Sequence, residues 1–191
     1  DDAGIAHHTV HLHPLNHAGY FPGASQIHLV AHFGADGRLL GAQAVGGDGV
    51  DKRIDVLAVA LRAGMTAHDL IDLDLAYSPP YGAAKDPVNM AGMMAANVLD
   101  GTLRLWHADD VDDVLAHRLV LDVRGRDEFA TGHLPGALNI PHTELRGRLD
   151  EVRSAAAGRA VAVLCQSGVR SYLAHRQLAQ AGFESANLSG G

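Results

Sequence analysis

A lone cysteine between an apolar segment and a helical pattern constrains this sequence more than any other feature. Cys165 is the only cysteine among the 191 residues, and the segment around it, residues 160–172, reads AVAVLCQSGVRSY. The β-branched run before Cys165 predicts a buried strand, and the apolar spacing from Leu173 onward predicts a helix. A thiol at such a junction lies near the unpaired N–H groups of a helix N-terminus, which favour the thiolate. Most lone cysteines are small core residues, but the glycine and arginine within residues 166–170 favour a reactive one.

The length of the loop after the cysteine separates two chemistries. Cys165 and Arg170 enclose a C-x4-R loop of six residues, whereas phosphate-ester hydrolysis uses a loop one residue longer, wide enough for a tetrahedral phosphate. The shorter loop suits a single terminal sulfur atom, and Leu164 replaces the histidine that often precedes a phosphatase cysteine. We therefore expect Cys165 to carry sulfur and Arg170 to stabilise charge, with a cysteine phosphatase as the weaker alternative. The loop residues expected to bind substrate are Gln166, Ser167, Gly168 and Val169.

Composition predicts two globular domains and excludes several classes of partner. Apolar residues make up 47% of the chain, which supports packed cores. The net charge of −7 divides into −6 for residues 1–100 (11 acidic, 5 basic) and −1 for residues 101–191 (11 acidic, 10 basic), which suggests two domains. The absence of a basic stripe argues against nucleic acid, and no apolar stretch reaches the length of a membrane span.

Two further features concern location and completeness. A single cysteine excludes an internal disulfide framework and is typical of a reducing cytoplasm. The chain starts at Asp1 in what reads as a helix end and stops at Gly191 after a strand-like segment. We therefore expect a piece of a longer protein.

The first half, residues 1–102, predicts an α+β domain built on an antiparallel sheet. Residues 26–33 alternate between apolar and polar, a glycine-rich turn follows, and residues 39–45 form the return strand. Asp51 is a plausible N-cap of the next helix, and Pro87 begins a final one. The second half, residues 103–191, alternates short strands and helices, including a helix over 142–152, and therefore predicts an α/β domain with a parallel sheet.

Five segments of the second half carry a family resemblance. They are LDVR (121–124), EF (128–129), GHLPGALNIP (132–141), CQSGVRSY (165–172) and NLSGG (187–191). Together they resemble a rhodanese-type sulfurtransferase domain, in which a cysteine persulfide is held by a ring of backbone amides. The resemblance breaks off at Gly191, where the family has a further helix, so we expect a C-terminally incomplete domain.

Five segments of the first half carry a second resemblance. They are HAGYFPG (17–23), GAQAVG (41–46), GVDKRID (49–55), LAYSPPYG (75–82) and KDPVNM (85–90). They resemble the C-terminal dimerisation domain of pyridine-nucleotide disulfide oxidoreductases, above all the coenzyme A disulfide reductases. The order of the two halves is similar to that of the coenzyme A disulfide reductase–rhodanese fusions.

The second resemblance implies cofactors, partners and further site residues. FAD, NAD(P)H and coenzyme A are implied for a longer parent whose flavin and NAD domains precede this segment. No cofactor is expected to be held by these residues alone, because they contain no dinucleotide fingerprint. A homodimer through residues 1–102 is implied, with Tyr20 and Tyr77 reaching the partner's active site and Tyr81 as a further substrate contact. Without the resemblance, interface packing is the better interpretation of Tyr77 and Tyr81.

Other polar clusters carry weaker signals. Eight of the 13 histidines precede residue 100, and His11 and His13 share a strand face. No third ligand stands at a persuasive spacing, so no metal site is expected. Asp122 and Arg124, at the end of a strand, are expected to hold loops of the second domain by hydrogen bonds.

Two functional hypotheses therefore rank above the cysteine phosphatase. The first is a sulfur-carrying segment of a flavoprotein that reduces coenzyme A disulfide, persulfide or polysulfide, with a sulfane-sulfur donor and a thiol acceptor. The second is a dimerisation and thiol-sensing module without turnover.

Overall fold

The chain folds into two compact units, each with its own sheet. The structure, a computed structural model, describes residues 4–191, and the helix end expected at Asp1 lies outside them. The first unit ends at Gly101, and the second is Thr102–Gly191.

The first unit is a three-stranded antiparallel sheet covered by helices. Its strands are adjacent in chain order, β1-β2-β3. The elements are β1 (His7–Leu12), β2 (Ile27–Gly34), β3 (Leu39–Gly46), α1 (Val50–Ala63), α2 (Ala67–Ile71) and α3 (Pro87–Leu99). The α+β prediction is confirmed.

Local sequence explains these elements. In β2 the apolar residues at alternate positions are fully buried, because successive strand side chains point to opposite faces; they are Ile27, Leu29, Ala31 and Phe33. Helix α3 begins at Pro87, with the Asp86 carboxylate accepting a hydrogen bond from the Val88 N–H at 3.1 Å. The predicted cap of α1 is wrong: Gly49, at φ 71°, is the N-cap and Asp51 lies in the first turn.

The second unit is a five-stranded parallel sheet with helices on both faces. Its strand order is β4-β8-β7-β5-β6, and every paired strand is parallel. The strands are β4 (Leu105–Trp106), β5 (Leu119–Asp122), β6 (Leu138–Asn139), β7 (Val161–Leu164) and β8 (Ser185–Leu188). The helices are α4 (Val111–His117), α5 (Arg126–Ala130), α6 (Leu149–Ala156) and α7 (Val169–Gln180). The α/β prediction is confirmed.

Burial on both faces explains why β5 and β7 read as continuous apolar runs. Alternate residues of these strands enter two separate cores, one with Leu121 and Val163 and the other with Val120 and Ala162. The predicted helix over 142–152 is wrong: a 3₁₀ turn occupies Leu145–Gly147, and α6 begins only at Leu149. Gly147 is a poor helix former, and it lies in this interruption.

Two features are absent from the described residues. Within residues 4–191, no helix is long and apolar enough to cross a membrane. No three His, Cys, Asp or Glu side chains in that range form a group that could hold a metal ion.

Candidate functional site

Cys165 lies directly after β7, the central strand of the second unit, and before α7. The chain turns at Gly168, whose φ of 89° provides the N-cap of α7. The Cys165 side chain is only 5% exposed, while Gln166 and Val169 are exposed on the outside of the loop. The thiol therefore lies at the carboxyl edge of a parallel sheet, where open α/β folds place their ligands.

Hydrogen bonds to the sulfur favour its ionised form. Burial raises the pKa of the Cys165 thiol, but hydrogen bonds from the Ser171 hydroxyl and from backbone N–H groups of Ser167, Ser171 and Gly168 together outweigh it. The net pKa lies below its ordinary value. The Ser171 hydroxyl donates to Sγ at 3.2 Å and also lies 3.1 Å from the Gly168 carbonyl. Sequence reasoning missed Ser171 as a site residue, because the helix was predicted only from Leu173 onward, whereas α7 begins at Val169 and includes Ser171 in its first turn.

Replacing Ser171 with alanine is expected to raise the pKa of Cys165. The variant removes the side-chain hydrogen bond that does most to lower this pKa. The rate of iodoacetamide alkylation, measured against pH, should therefore show a higher midpoint and a slower reaction near neutrality. Ser154→Ala is the control, because that hydroxyl bonds only the Asp150 carbonyl within α6 in the described structure. A midpoint that stays in place or falls in Ser171→Ala would contradict the assignment.

Arg170 is paired with a carboxylate from a distant part of the sequence. Its two terminal nitrogens donate to the two oxygens of Glu128 at 2.6 and 2.7 Å. This hydrogen bonding, and to a smaller degree the charge of Cys165, raises the pKa of Arg170. Glu128 was not predicted as a site residue. It lies in α5, 42 positions before Arg170, and the sequence singled it out only as part of the EF segment of the family resemblance.

The end of the described chain packs tightly against the loop. A Cβ on Gly191 would overlap the backbone nitrogens of Ser167 and Gly168 and come within 2.6 Å of the Ser167 Cα. A Cβ on Gly168 would make ordinary contacts only, 3.6 Å or more from Gly190 and Gly191. Glycine at 191 therefore permits this close approach, whereas Gly168 is required for its backbone angle.

Replacing Gly168 with alanine is expected to lower the free energy of unfolding and to alter the thiol. An alanine at positive φ costs about 1–2 kcal/mol, and relaxing that strain would move the N–H groups that face Cys165. Gly182→Ala is a matched control, since Gly182 has φ 79° and open space around its Cβ position. Urea unfolding should show similar losses for the two variants, but only Gly168→Ala should slow alkylation of Cys165. An equal effect on alkylation would contradict this account.

The three predicted tyrosines are exposed on two linked segments of the first unit. The hydroxyls of Tyr20 and Tyr77 lie 3.0 Å apart, and their hydrogen bond raises the pKa of Tyr77. Tyr81 is 73% exposed and follows Tyr77 in a turn. The Ala18 N–H donates to the Gly82 carbonyl at 2.9 Å, which ties the two segments together.

A buried ion pair supports the same two segments. Arg53, in α1, is 1% exposed and donates to Asp86 at 2.7 Å. It also donates to the carbonyl oxygens of Asn16 at 2.7 Å and Gly49 at 3.1 Å. Helix α1 thereby connects the segment before Tyr20 to the start of α3. Sequence reasoning missed this pair, because a charged residue in a helix is usually exposed.

Two family models divide the chain between them. The model of the rhodanese-like domain matches residues 104–191, and that of the pyridine nucleotide-disulphide oxidoreductase dimerisation domain matches residues 2–87. The rhodanese-like match spans nearly all of the second unit, and the dimerisation-domain match spans the first unit up to the start of α3. The recognition of both domains from sequence is confirmed.

One curated relative matches about half of the chain, and two solved structures match all of it. A coenzyme A disulfide reductase from Staphylococcus haemolyticus is 47% identical over 90 residues, which are 47% of this chain and 20% of that protein. The reduced CoADR-RHD of Bacillus anthracis is 40% identical, with a TM-score of 0.95 over 100% of this chain and 34% of that one. An NAD-dependent persulfide reductase from A. fulgidus is 38% identical, with a TM-score of 0.88 and the same coverage of 100% and 34%. The chain thus spans a fifth to a third of the length of these relatives.

The glycine-rich segment of this chain does not have the context of a dinucleotide fingerprint. The A. fulgidus persulfide reductase is NAD-dependent. The glycines at 46, 47 and 49 follow an antiparallel strand and precede α1, whereas a dinucleotide fingerprint opens a parallel β-α-β unit. No binding role for either cofactor is therefore assigned to these residues.

Sequence and fold agree on the relationship. The two family models match residues 2–87 and 104–191, and the Bacillus anthracis structure matches the whole chain. The chain therefore consists of a segment that matches the pyridine nucleotide-disulphide oxidoreductase dimerisation domain, followed by a rhodanese-like domain, and over its whole length it is similar to the CoADR-RHD of Bacillus anthracis.

Proposed function

We propose that this chain is the sulfur-carrying segment of an FAD- and NAD(P)H-dependent reductase of coenzyme A disulfide, persulfide or polysulfide. The observation that carries the proposal is the buried Cys165 thiol, whose pKa is lowered by the hydrogen bonds of its own loop. The similarity to a coenzyme A disulfide reductase and to an NAD-dependent persulfide reductase supports the reductase class. A single thiol without a disulfide partner fits a reducing cytoplasm.

The proposed reaction is a sulfur transfer without net oxidation or reduction. The Cys165 thiolate attacks the outer sulfur of a persulfide, R–S–SH, and a new S–S bond forms at Cys165. The old S–S bond breaks and its electron pair leaves on R–S⁻, which takes up the proton of the transferred sulfur and becomes R–SH, so that Cys165 is left as the persulfide anion. Attack of a second thiolate on the outer sulfur of the Cys165 persulfide then transfers that sulfur and regenerates the Cys165 thiolate.

The loop has the donors that a terminal persulfide anion needs. N–H groups of Ser167 and Gly168 already bond the Cys165 sulfur, and preorganised backbone donors stabilise an anion without reorganisation. Arg170 interacts with Cys165 in addition to its stronger pairing with Glu128. Gln166 and Val169, which are exposed, would contact the remainder of the donor.

The first unit is proposed to form a homodimer through residues 1–102. Tyr20 and Tyr77 already share a hydrogen bond at an exposed surface, so their hydroxyls could stabilise a leaving thiolate of the partner's active site. Tyr81 would contact the coenzyme A part of the substrate. The missing flavin and NAD domains would supply the reducing equivalents.

Two alternatives predict different behaviour of Cys165. A thiol sensor would accept sulfur without passing it on to a second thiol. A cysteine phosphatase would hydrolyse an aryl phosphate and would need Arg170 to bind the phosphate group. Both terminal nitrogens of Arg170, however, donate to Glu128.

The test is to expose the chain to polysulfide and to measure its mass. We expect a gain of one sulfur atom, located on the peptide that contains Cys165 and removed by cyanide or by a thiol such as coenzyme A. An adduct that cyanide removes but that no thiol accepts would favour the sensor. Absence of any adduct at Cys165 would refute the proposal.

A further inference from the structure

Positive charge beside the Cys165 loop is neutralised by a carboxylate. Both terminal nitrogens of Arg170 face Glu128, at 2.6 and 2.7 Å, in the bidentate geometry that arginine also uses to bind oxyanions. A sulfonate, sulfate or phosphate group at the loop would therefore have to compete with Glu128 for these donors.

Glu128 is held so that it stays in this position. Its Oε2 accepts the Gly125 N–H at 2.9 Å and thereby caps the first turn of α5. The Arg170 hydrogen bonds, followed by that of Gly125, hold the pKa of Glu128 at about 2. The carboxylate therefore stays ionised throughout the neutral range, and the pair persists.

The guanidinium of Arg124, which lies near this pair, is also bonded to a carboxylate. Arg124 donates to the fully buried carboxylate of Asp122 at 2.6 Å and to the Gly132 carbonyl at 2.8 Å. Arg124 interacts electrostatically with both Glu128 and Arg170. The four side chains thus form a group of two cations and two anions with no net charge. The bonds from Arg124 to Asp122 and to the Gly132 carbonyl confirm that these two residues hold a loop of the second unit.

We infer that Glu128 determines donor specificity: by neutralising Arg170, it directs the Cys165 site to persulfides of thiols and against oxyanion donors such as thiosulfate. The inference rests on the proposed sulfur transfer and deepens it. With a thiol persulfide, the amides and Ser171 need to hold only sulfur atoms. With thiosulfate, Cys165 takes the outer sulfur and sulfite leaves with the electron pair, so three oxygens and two negative charges must be accommodated.

The first experiment compares donors in wild type and Glu128→Gln. In the variant, kcat/KM for thiosulfate should rise about tenfold or more relative to kcat/KM for glutathione persulfide. Arg170, freed from the Glu128 carboxylate, can then donate to a thiosulfate oxygen, and one hydrogen bond between charged groups is strong enough to change kcat/KM by that factor. Glu151→Gln is the matched control, since Glu151 in α6 forms a bidentate pair at 2.7 and 2.8 Å with Arg148, the N-cap of that helix. The double variant Glu128→Gln/Arg170→Gln should lose the gain. A donor ratio that changes less than about twofold in a folded Glu128→Gln variant would overturn the inference.

The second experiment needs no variant. In wild type, sodium sulfate should slow transfer from glutathione persulfide no more than potassium chloride does at equal ionic strength. Competitive inhibition by sulfate would show a free anion site and would overturn the inference while leaving the proposed function standing. Failure of wild type to form a Cys165 persulfide from either donor would refute the proposed function, and the inference with it.

Discussion

Replacing Cys165 with serine is expected to lower sulfur transfer from a polysulfide to a thiol by about a thousandfold or more. A serine hydroxyl stays protonated at neutral pH and is a far weaker nucleophile toward sulfur. The substitution nearly keeps the size of a side chain that is 5% exposed, so the loop should persist. The measurement is the rate of transfer to cyanide or coenzyme A, with urea unfolding as the check on the fold.

The outcome that would contradict this prediction is equal activity in the two proteins. Sulfur would then be carried elsewhere, although no second cysteine exists in the chain. The Cys165 loop would in that case be a structural feature of the sheet edge, and the proposed function would fail.

Replacing Arg53 with methionine is expected to lower the free energy of unfolding of the first unit by about 3–5 kcal/mol. The variant leaves the Asp86 carboxylate buried without its cation, and it leaves the carbonyls of Asn16 and Gly49 without their shared donor. Denaturant unfolding followed by circular dichroism measures the loss. Fluorescence of Trp106, the only tryptophan, reports on the second unit separately.

Two controls test the physical reason. Arg38→Met breaks an exposed pair with Asp36, whose side chains are 63% and 64% exposed, and should cost less than about 1 kcal/mol. The double variant Arg53→Met/Asp86→Asn removes the buried charge and keeps an oxygen to cap α3, so it should be more stable than Arg53→Met alone. If Arg53→Met and Arg38→Met cost the same, the buried pair does not stabilise the fold.

Site residues close to Cys165 in sequence were easier to predict than distant ones. The apolar run, the glycine and the helical spacing are all within a few positions of the thiol, and local backbone preferences act over that range. Glu128 approaches Arg170 from 42 positions away, and Tyr20 meets Tyr77 from 57 positions away. Such contacts depend on which strands are neighbours, and periodicity along one segment carries no information on that.

The strand-loop-helix around Cys165, the antiparallel meander and the parallel sheet were determined by the sequence itself, because alternation, glycine positions and apolar runs report directly on backbone conformation and burial. Only the tertiary structure decided that Arg170 is neutralised by Glu128, that Ser171 faces the sulfur and that Arg53 is buried with Asp86. The reason is physical: the cost of burying a charge and the pKa of a thiol depend on the groups that the fold brings within a few ångströms.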